Sequence, residues 1–309
     1  MDGILVLDKP RGWTSHDVVA RLRQLTQIKR VGHTGTLDPM ATGVLIVCLG
    51  QATRVVEYIV GHDKRYTATV RLGIETDTYD AQGQVVARSP VDVTESALRE
   101  SLETFVGDIQ QIPPMFSAIK QAGTKLYDLA RRGIEVEREP RRMTIHSIDL
   151  IGFDPPDATI DVRCSAGTYI RSLAHDLGRR LGCGAHLSML TRTAAGDFTL
   201  GQAVSLEAFE AAVADGSWTT LLRPLDAALS SFPAITLSEG DAVRARHGVA
   251  VSATGVISAT GVISATGVAS YKDDLVRAYD PSGRIVGLMR LDQAHRALRP
   301  EKIFARSAG

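Results

Sequence analysis

Residues 32–50 read GHTGTLDPMATGVLIVCLG, and the two halves of this stretch differ in character. The first half is rich in glycine and contains Asp38-Pro39, which is typical of a tight loop. The second half, residues 44–49, is an unbroken apolar run that predicts a buried strand. Glycine lets a ligand come close to the backbone, and proline stiffens the chain after the acid. Asp38 can therefore act as a nucleophile or a base, although an isolated Asp-Pro pair is usually only a turn.

On both sides of this loop, the spacing of apolar residues predicts strands and helices. Residues 4–8 and 158–164 have the composition of strands, and residues 65–72 alternate between an apolar and a polar face. Apolar residues with helical spacing predict three helices: one after a cap at Thr14 or Ser15, one starting at Thr94, and one over residues 170–181. Because strands and helices mix without a regular βαβ rhythm, an α+β fold is predicted.

The 309 residues are enough for one large and one small domain. We expect a large domain over residues 1–228 with an inserted, basic, partly helical finger at about 112–142. A small β-barrel-like domain is expected over residues 232–309, because short strand signals there flank the turn Asp280-Pro281-Ser282-Gly283.

Residues 252–269 consist of three hexapeptide copies, SATGVI, SATGVI and SATGVA. Three short copies are too few for a β-helix, so we interpret them as a tandem duplication that lengthens a surface loop. The entropy of loop closure grows slowly with length, and deletion of two copies is therefore expected to leave catalysis intact.

Composition narrows the possible classes of protein. The chain is 44% hydrophobic and 23% charged, as in ordinary globular proteins. A formal net charge of zero excludes a wholly basic surface, although basic residues gather in residues 1–35 and 120–142. Taken alone, these clusters are better explained by two solvated helix faces than by RNA binding. Three cysteines without C-x-x-C spacing predict buried thiols, not a disulfide frame or a metal site.

Localisation signals are also weak. No apolar run reaches the ~18 residues that span a bilayer, so we expect no contact with a membrane. The N-terminus has acidic residues early and only a five-residue apolar stretch, unlike a secretory signal. A cytoplasmic location is expected.

The motif G-H-T-G-T-L-D-P-x-A-x-G-x-L at residues 32–45 resembles the signature of the tRNA pseudouridine synthase B family. Further blocks in the family's order extend the resemblance over roughly residues 3–200. They are L-D-K-P-x-G-x-T-S at 7–15, K-x-Y at 64–66, G-x-x-T-D-T-x-D-x-x-G at 73–83, P-P-x-x-S-A-x-K at 113–120, Y-x-x-A-R-x-G at 127–133 and C-S-x-G-T-Y-I-R-S-L at 164–173. An accidental match of this extent is not credible.

The resemblance implies a fold and a reaction. The fold would be a mixed, mainly antiparallel sheet flanked by helices, followed by a small PUA-like RNA-binding barrel. The reaction would convert uridine 55 in the T loop of tRNA to pseudouridine, by detaching uracil, rotating it and rejoining it through carbon 5, with no metal or other cofactor. The target base is stacked in its loop, so base flipping is expected. The partner would be the T arm of tRNA, and we expect a monomer without an obligatory protein partner.

The resemblance also implies roles for single residues. Asp38 aligns with the essential aspartate, Arg171 with the arginine that pairs with it, and Tyr66 with a tyrosine that stacks on the flipped uracil. These three are the predicted catalytic residues. Asp38 can attack the ribose, attack the base or act as a base at the ribose, and we expect a role at the ribose. The predicted RNA-binding residues are His33, Lys9, Tyr169, Leu190, Lys64, Arg141 and Arg142.

Several of these residues have a second interpretation. Tyr66 and Leu190 can be ordinary core residues, and Lys9 can support the motif instead of contacting a phosphate. Thr191-Arg192 stands where the family commonly has two arginines, which predicts a weaker phosphate contact beside Leu190.

Two other functions compete with a tRNA-modifying enzyme. The first is an RNA-binding or tRNA-folding module, which would bind a T-arm transcript without releasing tritium from carbon 5 of its uridine. The second is an RNA-guided relative that modifies ribosomal RNA, which would be inactive on naked tRNA. A glycosidase with paired carboxylates is discounted because the sequence offers no credible second acid.

Overall fold

The computed structural model describes residues 1–117, 119–121, 123–130, 132–253, 257–258, 261–262, 274–292 and 294–304. The strands in chain order are β1 (Gly3–Lys9), β2 (Val31–His33), β3 (Thr42–Leu49), β4 (Lys64–Leu72), β5 (Ile74–Thr76), β6 (Val85–Arg88), β7 (Gly107–Gln111), β8 (Lys120–Gln121), β9 (Thr124–Lys125), β10 (Arg141–Asp154), β11 (Asp157–Cys164), β12 (Ala185–Ala195), β13 (Phe198–Thr199), β14 (Val204–Ser205), β15 (Ala234–Thr236), β16 (Val251–Ser252), β17 (Ile257–Ser258), β18 (Gly261–Val262), β19 (Leu275–Tyr279), β20 (Ile285–Asp292) and β21 (Ala297–Ile303). The α-helices are α1 (Ser15–Thr26), α2 (Val56–Ile59), α3 (Glu95–Glu103), α4 (Leu126–Ala130), α5 (Ile170–Leu181), α6 (Leu206–Ala214) and α7 (Glu239–Arg246).

The larger sheet has ten strands in the order β14-β1-β3-β12-β4-β11-β10-β7, with β2 added beside β3 and β13 beside β12. Two pairs, β1 with β14 and β3 with β12, are parallel, and the other described pairs are antiparallel. Helices α1, α3 and α5 contribute buried side chains to one core with this sheet. The predicted α+β class with a mixed, mainly antiparallel sheet is confirmed.

Local sequence explains the elements that carry the site. Thr14 caps α1 through a capping box with Asp17, which satisfies free backbone N–H groups at the helix start. On β4, the predicted inner face is buried at Tyr66, Ala68, Val70 and Leu72, as expected for alternation in a half-buried strand.

Strands β3 and β12 approach each other unusually closely at Gly43. Its φ of +98° lies in the left-handed region, and a Cβ placed there would be 2.3 Å from the carbonyl oxygen of Arg192. Only glycine fits both the conformation and the space. This contact fixes β12 against the strand that follows the Asp38 loop.

The region at 112–142 contains little regular structure. It includes the short hairpin β8–β9 and helix α4, and its last two residues, Arg141 and Arg142, already belong to β10. Strand β10 pairs with β7 from Arg141 onward, and the sequence analysis predicted no strand at this position.

The second sheet has the order β16-β21-β20-β19-β15-β17-β18 and curls into a half-barrel with α7 packed on it. The predicted turn at 280–283 joins β19 and β20. Most of the hexapeptide copies at 252–269 lie outside the described residues, so the prediction about them is untested.

The two sheets share buried side chains. Leu288 of the second sheet and Phe304, which directly follows β21, belong to one apolar cluster with Ile4, Val6 and Ile46 of the first sheet. Ion pairing between Lys302 and Glu57 at 2.9 Å adds a polar contact across the same junction. Within the described part of the chain, no helix has the length and apolar character needed to cross a membrane.

Candidate active site

A cavity of about 390 Å³ opens where the loop before β3, the start of β4, the end of β12 and the start of α5 meet. Its walls are residues 34–38, residues 166–171, and Val60, Lys64, Tyr66, Ser117, Ile119, Leu190 and Arg192. The volume falls in the range of small-molecule sites in proteins. Six of the residues predicted from sequence therefore line one cavity: Asp38, Tyr66, Arg171, Tyr169, Leu190 and Lys64.

The loop that carries Asp38 is fixed by hydrogen bonds on both sides of the carboxylate. The buried hydroxyl of Ser15 accepts from the Leu37 N–H at 2.8 Å and lies 3.2 Å from the Leu37 carbonyl oxygen. After the acid, the Ala41 N–H donates to the Asp38 carbonyl at 3.0 Å. The backbone that aims Asp38 is thereby set before any ligand arrives.

Asp38 forms an ion pair with Arg171. The Nε of Arg171 lies 2.9 Å from Oδ2 of Asp38. The Arg171 side chain is 5% exposed, whereas 35% of the Asp38 side chain faces the cavity. The carboxylate is thus oriented from behind and still open toward a ligand.

Arg171 is held by three further groups. Its Nη2 donates to the Phe116 carbonyl at 2.7 Å, its Nη1 donates to the Thr78 carbonyl at 3.3 Å, and its Nη1 lies 3.6 Å from Oδ2 of the buried Asp80. A buried guanidinium needs such partners because an unpaired charge in the interior is very unfavourable. The sequence analysis gave Asp80 no role, because Asp80 and Arg171 are 91 positions apart in the chain and only the fold brings them together.

The electrostatics of Asp38 are balanced between opposing effects. Burial raises the pKa of this carboxyl above its usual value, the Arg171 guanidinium lowers it, and the charge of Asp80 raises it again. Burial is the largest of these effects. Acidic side chains in clefts whose pKa differs from the ordinary value are typical of catalytic groups.

Tyr66 stands on the cavity wall at the start of β4 and is 9% exposed. Burial raises its pKa, and the neighbouring guanidinium of Arg192, its cross-strand partner, opposes that rise. The hydroxyl therefore stays protonated at neutral pH and can accept a hydrogen bond from Arg192.

Arg192 is a cavity residue that the sequence analysis did not assign to the site. It is 3% exposed, and its Nε and Nη2 donate to the Val44 and Gly35 carbonyls at 2.6 Å and 3.1 Å. Among the described residues, no carboxylate forms an ion pair with it. Arg192 thus brings an uncompensated positive charge beside Tyr66, and the departure Thr191-Arg192 was the signal that pointed to this position.

Tyr169 and Leu190 both line the cavity. The Tyr169 N–H donates to Oε1 of Gln111 at 3.0 Å, and Nε2 of Gln111 donates back to the Tyr169 carbonyl at 3.2 Å. Gln111, which is 1% exposed, therefore fixes the entry to α5. Sequence reasoning missed Gln111 because its partner lies on another element.

Lys64 lines the cavity, but its Nζ is turned to the protein. It donates to the Val60 carbonyl at 2.6 Å and to the His62 carbonyl. Burial lowers the pKa of Lys64 to about 8.

Lys9 and His33 are not among the residues that line the cavity. Lys9 is fully buried, and its Nζ donates to the carbonyls of Pro10 and Trp13 at 2.9 Å and 2.6 Å. Burial lowers its pKa to about 8. His33 is partly buried, which lowers its pKa, and its Nδ1 accepts from the Gly35 N–H at 3.3 Å. In this position Lys9 supports the turn before α1, and its predicted contact with RNA stays a prediction.

Arg141 and Arg142 lie away from this cavity at the start of β10. Arg141 borders a second depression of about 290 Å³ that shares Ile119 with the first. Arg142 is exposed and pairs with Asp108 at 2.6 Å. In the part of the chain that is described, no group of three or more His, Cys, Asp or Glu side chains is arranged to hold a metal ion.

Comparison with known proteins agrees with this geometry. The profile of the TruB family pseudouridylate synthase N-terminal domain matches residues 23–170, and that of the tRNA pseudouridylate synthase B C-terminal domain matches residues 171–230. A tRNA pseudouridine synthase B of Burkholderia pseudomallei (strain 668) is 43% identical over 308 residues, which is 100% of this chain and 98% of the relative. The protein of the same name from Dehalococcoides mccartyi (strain CBDB1) is 42% identical over 309 residues, with the same shares.

Solved structures share the fold of this chain. A chain in a Cbf5-Nop10-Gar1 complex superposes with a TM-score of 0.75 at 28% identity, covering 98% of this chain and 85% of that one. A chain in an H/ACA RNP bound to a substrate RNA containing 2′-deoxyuridine superposes with a TM-score of 0.74 at 27% identity, with the same coverage. From the profile matches, the full-length relatives and the shared fold, it follows that this chain belongs to the TruB family of pseudouridylate synthases.

Proposed function

We propose that this protein is a tRNA pseudouridine synthase, which converts uridine 55 in the T loop to pseudouridine with Asp38 acting at the ribose. The observation that carries the proposal is the 2.9 Å contact of Asp38 with Arg171 on the wall of a cavity that Tyr66 also lines. The full-length relatives from Burkholderia and Dehalococcoides are named for this activity.

The cavity suits a base that has left its stack. Aromatic and apolar side chains hold a flipped base by stacking, and Tyr66, Tyr169 and Leu190 offer such surfaces. Tyr66 is the residue that we assign to stacking on uracil. Arg171 keeps the Asp38 carboxylate ionised and aimed, since an opposite charge at this distance favours the charged form.

The reaction conserves atoms. The bond between ribose C1′ and uracil N1 breaks, a bond between C1′ and C5 forms, the proton on C5 leaves to solvent, and N1 gains a proton. We expect Asp38 to act at C1′ while the base turns. None of these steps requires an electron acceptor.

We further infer that the substrate is free tRNA in the cytoplasm and that the enzyme works as a monomer. An RNA-guided role is the second candidate, because the solved neighbours are chains of an H/ACA RNP bound to a substrate RNA and of a Cbf5-Nop10-Gar1 complex. The tRNA role is favoured, because relatives of that name are 42–43% identical over the full chain, against 27–28% for the complex subunits. Domain boundaries at 228 and 232 remain a prediction.

Release of tritium from carbon 5-labelled uridine in a naked T-arm transcript tests the activity, with the product position mapped. Asp38→Asn should lower the turnover by about a thousandfold or more, because the reactive carboxylate is gone, while tRNA affinity stays nearly unchanged. Because the Asn side chain has the same size and shape as Asp, the substitution removes the carboxylate without disturbing the packing around it. Substantial turnover by Asp38→Asn defeats the assignment of Asp38, and binding without tritium release by the wild type favours a non-catalytic module. Activity only with an added guide RNA favours the second candidate.

A further inference from the structure

Arg171 depends on a loop as well as on its own helix. The Thr78 carbonyl accepts from Nη1 at 3.3 Å, and the Asp80 carboxylate lies 3.6 Å from the same nitrogen. These two residues flank Tyr79. The direction in which the guanidinium points at Asp38 is therefore sensitive to where residues 78–80 lie against α5.

Tyr79 has a backbone conformation that needs support. Its φ of +63° lies in the left-handed region, which is unusual for a bulky residue. Its carbonyl accepts from the Leu187 N–H at 2.9 Å, and its N–H donates to the Thr76 carbonyl at 3.2 Å. Such conformations persist where the surroundings hold them, and they cluster at functional sites.

The Tyr79 ring stacks on His175 of α5. The ring centroids are 4.0 Å apart, and the planes are inclined by 16°. His175 follows Arg171 by four residues, so both side chains project from one face of the helix, one turn apart. The same loop thus contacts α5 at two levels, by polar groups at Arg171 and by a ring at His175.

Other bonds in the loop do not tie it to the helix. Thr76 and Thr78 hydroxyls donate to the Asp80 carbonyl and carboxylate at 2.7 Å and 2.8 Å, which joins loop residues to one another. Charged groups near His175 are Glu75, whose Oε2 is 3.9 Å from Nδ1, together with Asp176 and Arg179. Neither Tyr79 nor His175 lines the cavity, so neither contacts a base held inside it.

We propose that the Tyr79–His175 stack is a clamp that fixes residues 78–80 against α5 and so sets the orientation of Arg171 toward Asp38. Both are positioning residues that act through Arg171. The inference rests on the proposed function, because its readout is the chemical step at Asp38.

The test keeps or removes each ring. Tyr79→Phe and His175→Phe retain a stacking ring. Tyr79→Gly removes the ring and tolerates the positive φ, so backbone strain is not introduced, and His175→Ala removes the other ring. Turnover and KM are measured by tritium release from T-arm transcripts between pH 4 and 9, on proteins whose circular dichroism matches the wild type.

We expect the Phe variants to keep turnover within about twofold, and Tyr79→Gly and His175→Ala to lose about tenfold in turnover with little change in KM, as for loss of catalytic positioning. The charged groups that act on Asp38 are Arg171, Asp80 and Lys9, and in these variants Arg171 is the one displaced. Because Arg171 lowers the pKa of Asp38, its displacement should move the acid side of the pH profile of turnover to higher pH. In an Arg171→Lys background, Tyr79→Gly should have almost no further effect on turnover, since coupled residues are not additive.

A folded Tyr79→Gly or His175→Ala protein with wild-type turnover and acid limb overturns the clamp. An equal loss in the Arg171→Lys background, or a loss confined to KM, does the same. If the wild type releases no tritium, the proposed function has failed and not the clamp. If Tyr79→Gly does not fold, His175→Ala decides the question.

Discussion

At the scale of single residues, the protonation state of the Asp38 carboxylate is subject to two opposing effects. The carboxylate must be ionised to act at a ribose, yet burial favours its neutral form and raises its pKa. The Arg171 guanidinium at 2.9 Å counters burial without covering the side of Asp38 that faces the cavity. The ion pair is therefore better understood as a device for orientation and charge than as a source of stability.

The raised pKa of Asp38 sets the direction of a pH dependence. As pH falls, a group with a raised pKa takes up its proton earlier, so turnover should decline at a pH above the ordinary carboxyl value of 3.8. The measurement is turnover by tritium release from pH 3 to 7 with saturating tRNA. Binding of tRNA over the same range is the control, and an acid limb at or below 3.8 would contradict the expectation.

Arg192 gives a second prediction at this scale. Because it lies against Tyr66 and has no carboxylate ion pair among the described residues, we expect Arg192→Gln to reduce turnover by about tenfold. Tyr66→Phe should reduce turnover more than affinity. If Arg192 acts through the Tyr66 hydroxyl, the double variant should be no worse than Tyr66→Phe alone. Fully additive losses in turnover would show that Arg192 acts on something else.

At the scale of elements, patterns among neighbouring residues predicted individual strands and helices, whereas contacts between distant parts of the chain could not be predicted. Alternation at 65–72 predicted the buried face of β4, and the cap at Thr14 predicted the start of α1, because both patterns depend only on neighbours in sequence. The partnership of Asp80 with Arg171 was not predictable, since it depends on how a loop lies against α5 in three dimensions. Strand β10, which pairs with β7, was not predicted at all.

The close approach of β3 and β12 leads to a stability prediction. Gly43→Ala should destabilise the protein by about 3 kcal/mol or more, because a Cβ 2.3 Å from the Arg192 carbonyl must push the strands apart in addition to straining φ. Gly216→Ala is the matched control: its φ is +82° with open space around the Cβ, and about 1 kcal/mol is expected. Midpoints of urea unfolding measure both variants, and equal shifts would refute the close contact.

At the scale of the whole molecule, a net charge of zero conceals an uneven distribution. Arg141 and Arg142 lie at the start of β10, beside the edge strand β7, and Arg141 borders a depression that adjoins the cavity. Their side chains are exposed, so they can reach phosphates of an RNA whose target base occupies the cavity. The motifs predicted the chemistry of the site, whereas the path of the RNA over this surface depends on tertiary structure.

Charge reversal tests that path. Arg141→Glu with Arg142→Glu should weaken tRNA binding and flatten its dependence on salt, since each lost phosphate contact lowers the slope of log K against log salt by about 0.9 in duplex regions. Arg71→Glu is the control, because Arg71 pairs with Asp157 near the far end of β4 from Tyr66. An unchanged slope in the double variant would place the RNA elsewhere.

The apolar cluster that joins Leu288 and Phe304 to Ile4 and Val6 holds the C-terminal sheet at a fixed distance from the cavity that contains Asp38. An RNA that contacts both surfaces must span that distance through the length and bend of its own stem. Selection by shape would then come before any base is read.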